Sequence, residues 1–320
     1  MKKRKLKRKF KYLLYILFFI LLVILAFNII KNFSNDDSNK LDKKEKNDPI
    51  INKLSDLGYD ESDIVLIKAE LSNEEITEID FYNKDLSEYI KSDYFIFDNF
   101  ERYISYKENN SYSIDKVILY VNIGIDRDYY TNIKSIEKED DLLVLVNKYN
   151  SLSQTYEPQD LTEVGSSGKL MRKEAAINMT NLQKDAKKDG IQINMVSGYR
   201  SYDYQDGLYS KYLKRDPQSV VDTYSARPGH SEHQTGLAMD VSDHTWTCEE
   251  YFEDTLQFEW LQENAYKYGF IMRYPKGKEF ITGYTYEPWH YRYVGVDVAT
   301  KIHTENITYE EYVVKYLTTY

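Results

Sequence analysis

The chain has 320 residues, 42% of them hydrophobic, which suits a two-domain globular protein rather than one small domain. Its formal net charge is -10, yet residues 1–31 hold nine Lys/Arg and no acid, so the remainder carries 33 basic against 52 acidic side chains. A body this acidic lacks the basic footprint of a nucleic-acid binder, and one cysteine, Cys248, excludes an internal disulfide or a cysteine-based zinc cluster.

Residues 2–11 carry eight basic side chains, and residues 12–30 form an apolar run interrupted only by Asn28. Nineteen residues at helical rise cover roughly 28 Å, close to the hydrocarbon thickness of a bilayer. The run is longer than the apolar core of a signal peptide and ends without a small-residue cleavage site, so it reads as an uncleaved anchor. The positive-inside rule puts segment 1–11 in the cytoplasm and everything after the span outside the cell. Residues 31–49 are rich in Lys, Asp, Asn and Ser and read as a polar linker.

Residues 50–150 read as a mostly helical accessory domain. Ile51, Leu54, Leu57, Ile64 and Ile67 recur at helical intervals around a break at Gly58. Ser72 followed by Glu75 fits a capping box. Residues 116–123 suit strand or helix, and this domain contains no histidine. From residue 151 the texture changes. A helix is expected over 170–188, with Ala175, Met179, Leu182 and Ala186 on one stripe and Gly190 after its end. Alternation over 191–196 predicts a strand. A helix follows over 202–214, then turn and strand over 235–241. A helix over 254–268 turns Leu256, Trp260, Leu261 and Ala265 inward. Strands at 270–273 and 289–293 and closing helices near 296–303 and 309–317 complete the domain. Helices mixed with short strands in no regular alternation imply α+β architecture: a small antiparallel sheet flanked by helices, behind a mostly helical domain and an N-terminal transmembrane helix.

All five histidines, His230, His233, His244, His290 and His303, fall in the last 91 residues. Two local patterns stand out: Ser231-Glu-His-Gln-Thr-Gly-Leu-Ala-Met-Asp240 and Glu287-Pro-Trp-His290. A catalytic zinc takes about three His or carboxylate ligands and keeps one position open for water. His233, Asp240 and His290 can supply those three, with Gly236 permitting the turn between the first two. Glu287 lies within reach as a general base. Spacing alone leaves open which carboxylate ligates and which moves protons.

These residues resemble the signature of the VanY-type D-alanyl-D-alanine carboxypeptidases, S-x-H-x-x-G-x-A-x-D followed by E-x-W-H. That family belongs to a zinc peptidase superfamily with D-Ala-D-Ala dipeptidases, lysostaphin-like endopeptidases and the hedgehog signalling domain. The likeness extends over S-G-Y-R-S at 197–201, A-R-P-G-H-S-E-H-Q-T-G at 226–236, K-Y-G-F-I-M-R-Y-P-K-G-K at 267–278 and I-T-G-Y-T-Y-E-P-W-H-Y-R-Y-V-G at 281–295, and covers roughly residues 155–305. V-N-I-G-I-D at 121–126 is similar to the N-terminal region of some members.

The resemblance implies a Zn2+ cofactor held by His233, Asp240 and His290, and Glu287 as catalytic base. It places Arg200 beside the scissile carbonyl, and Ser231 and Gln205 in the substrate pocket. It implies removal of the terminal D-Ala from peptidoglycan stem peptides ending in D-Ala-D-Ala. Within the superfamily the alternative is an endopeptidase cutting inside the stem or cross-bridge. Outside it, the alternative is a non-catalytic wall-binding module, which would have no use for Glu287. His230 is expected to be structural and His303 to lie on a helix surface. Tyr291, Arg292 and Tyr293 suit either support of the metal or core packing.

Overall fold

The structure, a computed structural model, describes residues 48–244 and 248–317. The expected basic segment 1–11 and membrane span 12–30 lie outside the described residues, as does the linker up to residue 47. Among the described residues no helix is long and apolar enough to cross a membrane. The chain divides into two compact units, Met1–Lys91 and Ser92–Tyr320.

In the first unit, short helices follow one another: α1 (Pro49–Leu57), α2 (Glu61–Glu70), α3 (Asn73–Glu78) and α4 (Leu86–Tyr89). Each of the first three starts is encoded locally. The Asp48 carboxylate accepts the Ile50 N–H at 2.9 Å with Pro49 at the first helical position, and Asp60 caps α2 likewise. The expected capping box of Ser72 and Glu75 forms on both sides. Gly58, at φ 106°, ends α1 in the left-handed region. Leu54, Ile64, Ile67, Ile76 and Leu86 are buried, while Ile51 and Leu57 are only half-buried.

The second unit opens with α5 (Phe100–Glu108) and α6 (Ile114–Ile123), so the ambiguous stretch at 116–123 is helix. Seven of the ten residues of α6 are buried, as befits a helix inside a domain. Leu119, Tyr120 and Ile123 pack with Ile281 and Val314 from the far end of the chain. This corrects the expected boundary after residue 150. Residues 92–150 belong by contact to the same unit as the later helices and sheet, because their apolar faces are covered there.

Next come a short parallel ladder, β1 (Lys134–Ser135) with β2 (Asn150–Ser151), and an antiparallel pair, β3 (Leu161–Glu163) with β4 (Leu170–Arg172). The helix expected from residue 170 therefore begins later, as α7 (Lys173–Lys188), with Ala175, Met179, Leu182 and Ala186 buried as expected. Residues 170–172 stay extended because β3 pairs with them and the Tyr199 N–H donates to the Leu170 carbonyl at 2.7 Å. The main sheet comprises β5 (Asn194–Ser197), β6 (Ala238–Ser242), β7 (Phe270–Met272) and β8 (His290–Tyr293), all antiparallel in the order β5-β6-β8-β7. Helices α8 (Tyr202–Leu213) and α9 (Gln218–Tyr224) lie between β5 and β6 in sequence. After β6 come α10 (Leu256–Asn264) and a 3-10 turn at Ala265–Tyr268. Leu261 and Ala265 are buried and Trp260 packs against the core, but Leu256 is 66% exposed, contrary to expectation. It is the first residue of the helix, before the buried stripe begins. The chain closes with α11 (Glu279–Thr282), α12 (Val296–Glu305) and α13 (Tyr309–Tyr312), which runs on as a π turn to Leu317.

Side chains alternate across a strand. On β6, Met239 and Val241 enter the core shared with α7, and on β8 Tyr291 and Tyr293 do the same. Their neighbours Asp240, His290 and Arg292 therefore point to the opposite face, where they are nonetheless buried. The α+β class and the small antiparallel sheet agree with the sequence reading.

Candidate functional site

Asp240 and His290 are directly paired across β6 and β8, so strand register alone puts a carboxylate beside an imidazole. His233 reaches them from a 3-10 turn, Glu232–Thr235, which Gly236 closes at φ 66°. A Cβ at Gly236 would sit 2.9 Å from Leu161 Cδ2, so the turn needs glycine for both conformation and space. The peptide of Gly198, just after β5, passes so close to Leu170 that a side chain there would strike its carbonyl. That close path delivers the Gly198 carbonyl oxygen to His233 Nδ1 at 2.7 Å.

A carbonyl only accepts, so His233 Nδ1 carries the hydrogen and Nε2 keeps its lone pair. Nε2 points to Asp240 Oδ2 at 3.3 Å, and His290 Nδ1 lies 3.1 Å from Asp240 Oδ1. Ligand atoms of the three side chains all fall within 4.8 Å of one another, and all three residues are buried. Two ligands on a tetrahedral zinc with bonds of ~2.0–2.1 Å stand ~3.3 Å apart, so the nitrogen–oxygen separations here fit one small cation. The donor set of two imidazoles and a carboxylate suits zinc as well.

Glu287, on the turn leading into β8, places Oε2 3.6 Å from His290 Nδ1. Two buried carboxyl groups thus share the site but differ in surroundings. Burial works against the Asp240 carboxylate, yet His233 and Arg200 outweigh it and hold the carboxyl well below the usual range. Burial pushes the Glu287 carboxyl up to about 7, against the pull of His290, with Asp240 adding to the rise. One carboxyl is therefore a fixed anion and the other can exchange a proton near neutrality, an arrangement that separates a ligand from an acid–base group. Burial lowers the His233 imidazole, which keeps it neutral and able to ligate.

Arg200 pairs with Asp240 through Nη2, and its Nε donates to Ser197 Oγ at 2.8 Å. Its backbone N–H donates to the His233 carbonyl at 3.1 Å, so the arginine is tied to the metal-site residues twice. Ser231 and Gln205 are both buried on the wall of the same cavity, which has a volume of about 910 Å³. The Gln205 amide donates to the Ala226 carbonyl at 2.8 Å, so it also holds the chain segment before the metal motif. Tyrosines 204, 212, 224, 274 and 284 give the cavity an aromatic wall with polar tips. A cavity of this size suits several residues of a peptide.

All seven site residues singled out in the sequence thus converge on one cavity. The remaining histidines lie outside this set. His230 Nδ1 bonds the Asn147 carbonyl at 2.7 Å, the His244 side chain is 87% exposed, and His303 stacks on Tyr266 at 4.0 Å. Cys248 lines the cavity, and burial pushes its thiol up, away from the reactive thiolate.

Beneath the site lies a charged cluster that the sequence discloses only in part. Glu232 Oε1 accepts from Arg273 Nε at 2.8 Å and from Arg292 Nη1 at 2.9 Å. Arg273 turns its other nitrogens to Glu310 at 2.9 and 2.5 Å, and Arg292 also donates to the carbonyls of Leu142 and Val144. Both arginine side chains are fully buried. Arg292 suits either role from its sequence, while nothing in the local sequence around Glu232, Arg273 and Glu310 pairs them with one another.

Residues 168–296 match the family described as VanY, D-alanyl-D-alanine carboxypeptidase. The chain is 42% identical over 205 residues to YodJ of Bacillus subtilis (strain 168), an alignment that covers 59% of this chain and 75% of YodJ. It is 36% identical over 182 residues to the D-alanyl-D-alanine carboxypeptidase of Enterococcus faecalis (strain ATCC 700802 / V583), covering 53% of this chain and 65% of that protein. Among solved structures it is similar to the LdcB LD-carboxypeptidase, with 42% identity and a TM-score of 0.54 over 58% of this chain and 91% of LdcB. The chain belongs to the VanY family of D-alanyl-D-alanine carboxypeptidases.

Proposed function

We propose that this protein is a zinc-dependent carboxypeptidase that removes the terminal D-Ala from peptidoglycan stem peptides ending in D-Ala-D-Ala. The observation that carries the reading is the buried set of His233, Asp240 and His290 opening on a cavity beside Glu287. His233 Nε2, an Asp240 oxygen and His290 Nδ1 would hold the metal. Bound there, zinc supplies a Lewis acid for the carbonyl and lowers the pKa of a water to ~7.

Glu287 takes a proton from the attacking water as its oxygen bonds to the peptide carbonyl carbon. The same carboxyl then gives that proton to the leaving amine nitrogen as the C–N bond breaks, so Glu287 ends as it began. Arg200 offers its guanidinium to the negative charge that gathers on the carbonyl oxygen. Ser231 and Gln205 line the cavity where the end of the stem peptide would rest. The basic segment and apolar run at 1–30 support a single-pass anchor with the catalytic unit on the outer, cell-wall side.

A second reading has a specific support: the likeness to LdcB, named an LD-carboxypeptidase, at 42% identity over 91% of its chain. Such an enzyme would cleave D-Ala from a stem ending in an L,D bond. One experiment separates the readings. Full-length protein in detergent is given a pentapeptide ending in D-Ala-D-Ala and a tetrapeptide ending in a single D-Ala, with and without chelator, and the products are weighed. Chelator-sensitive loss of one alanine from the pentapeptide is expected. Loss from the tetrapeptide alone selects the L,D reading, a split stem selects an endopeptidase, and turnover untouched by chelator removes the metal from the mechanism.

A further inference from the structure

The cluster of Glu232, Arg273, Arg292 and Glu310 is costly to bury, and the proposed reaction uses none of it. One of its atoms faces the metal site. Both arginines bond Glu232 through Oε1 alone, which leaves Oε2 turned toward His290 Nε2 at 3.8 Å. Both Oε2 and Nε2 are buried and have no hydrogen-bond partner among the described residues. Each can satisfy the other, and a movement of under ~1 Å brings them to hydrogen-bonding distance. A metal-bound histidine commonly donates its second ring N–H to a carboxylate or carbonyl, which sets its tautomer and orientation. His233 has such a partner in the Gly198 carbonyl.

We infer that Glu232 is a positioning residue for the metal centre: its Oε2 accepts the Nε2–H of His290 and so presents Nδ1 of that ring to the metal. This rests on the zinc reading above and assigns a purpose to the buried cluster. Arg273 and Arg292 both hold Oε1 and so fix the Glu232 carboxylate in rotation. Glu310, in α13, holds Arg273 from the other side. The carboxylate aimed at His290 is thus braced from residues 142–144, 273, 292 and 310. Replacement by glutamine is not neutral in this geometry. The amide must give its oxygen to the arginines and would turn its NH2 group on the His290 N–H.

The test measures zinc affinity by chelator competition on full-length wild type, Glu232→Gln and Glu310→Gln, each confirmed folded. Glu232→Gln is expected to lose ~10–100-fold in zinc affinity, while Glu310→Gln, which weakens the same cluster without touching His290, loses clearly less. Wild-type affinity in Glu232→Gln, or equal losses in both variants, would overturn the inference. Should Glu232→Gln fail to fold, 15N shifts of the histidine rings in zinc-loaded wild type decide the matter. A metal on His290 Nδ1 and a hydrogen on Nε2 are expected, and the reverse overturns it. A wild-type protein that takes up no zinc removes the metal reading and this inference together.

Discussion

The buried cluster yields a prediction about stability that depends on charge balance rather than on the number of hydrogen bonds. Arg273, Arg292, Glu232 and Glu310 are each at most 1% exposed, and their charges sum to zero. Glu310→Gln removes one anion and leaves a buried excess of one positive charge on Arg273, whose two bonds to Glu310 are 2.9 and 2.5 Å. Breaking one side of such a pair costs ~3–5 kcal/mol, a large part of the ~5–15 kcal/mol that holds a typical domain folded. The double change Arg273→Met with Glu310→Leu removes more hydrogen bonds but leaves Arg292 and Glu232 as a neutral pair, with apolar side chains filling much of the vacated volume. Its expected cost is under ~2 kcal/mol, smaller than that of the single variant. Urea unfolding of metal-free protein followed by tryptophan fluorescence measures both, since all three tryptophans lie beyond residue 91 and report on the second unit. A double variant less stable than Glu310→Gln would refute the charge-balance argument and show that the lost hydrogen bonds matter more than the unpaired charge.

Three further outcomes follow from the site and its surroundings. Glu287→Gln should retain bound zinc while kcat falls by ~10²–10⁴, checked by metal analysis beside turnover of the pentapeptide. Arg200→Lys should lower kcat by ~10²–10³ without weakening zinc binding, because Arg200 competes with a cation for Asp240 rather than supporting it; a parallel loss of zinc would contradict this. Lys148 is buried among the rings of Tyr129, Tyr130 and Tyr284, and burial pulls its ammonium down to about 8, with Asp222 opposing. Its folded pKa is then below the unfolded one, so the unfolded chain binds more protons between pH 8 and 10.5. The stability of wild type relative to Lys148→Met should therefore rise with pH through that window, by at most ~tenfold in the folding equilibrium per pH unit. Urea unfolding of the pair at pH ~7.5 and ~9.5 measures it, and a flat difference would show that the tyrosine rings keep the ammonium charged throughout.

The candidate metal site was legible because its geometry is encoded over short distances. Gly236 sets the turn that carries His233, and alternation along 238–242 and 290–293 puts Asp240 and His290 on the face opposite the core. Helix starts at Asp48, Asp60 and Ser72 are written locally in the same way. Pairings between distant segments were not legible, since nothing in local spacing specifies them. The join of 92–150 to the later helices depends on α6 meeting Ile281 and Val314, and the strand at 170–172 depends on a partner strand at 161–163. The support of His290 depends on charges at 232, 273, 292 and 310, brought together by the closing of the sheet and of the C-terminal helices. Residue chemistry and local period were sufficient to single out His233, Asp240, His290 and Glu287, and the family resemblance, not spacing, assigned ligand and base among them. Only tertiary packing, which decides what a buried charge faces, could supply the carboxylate behind one of them.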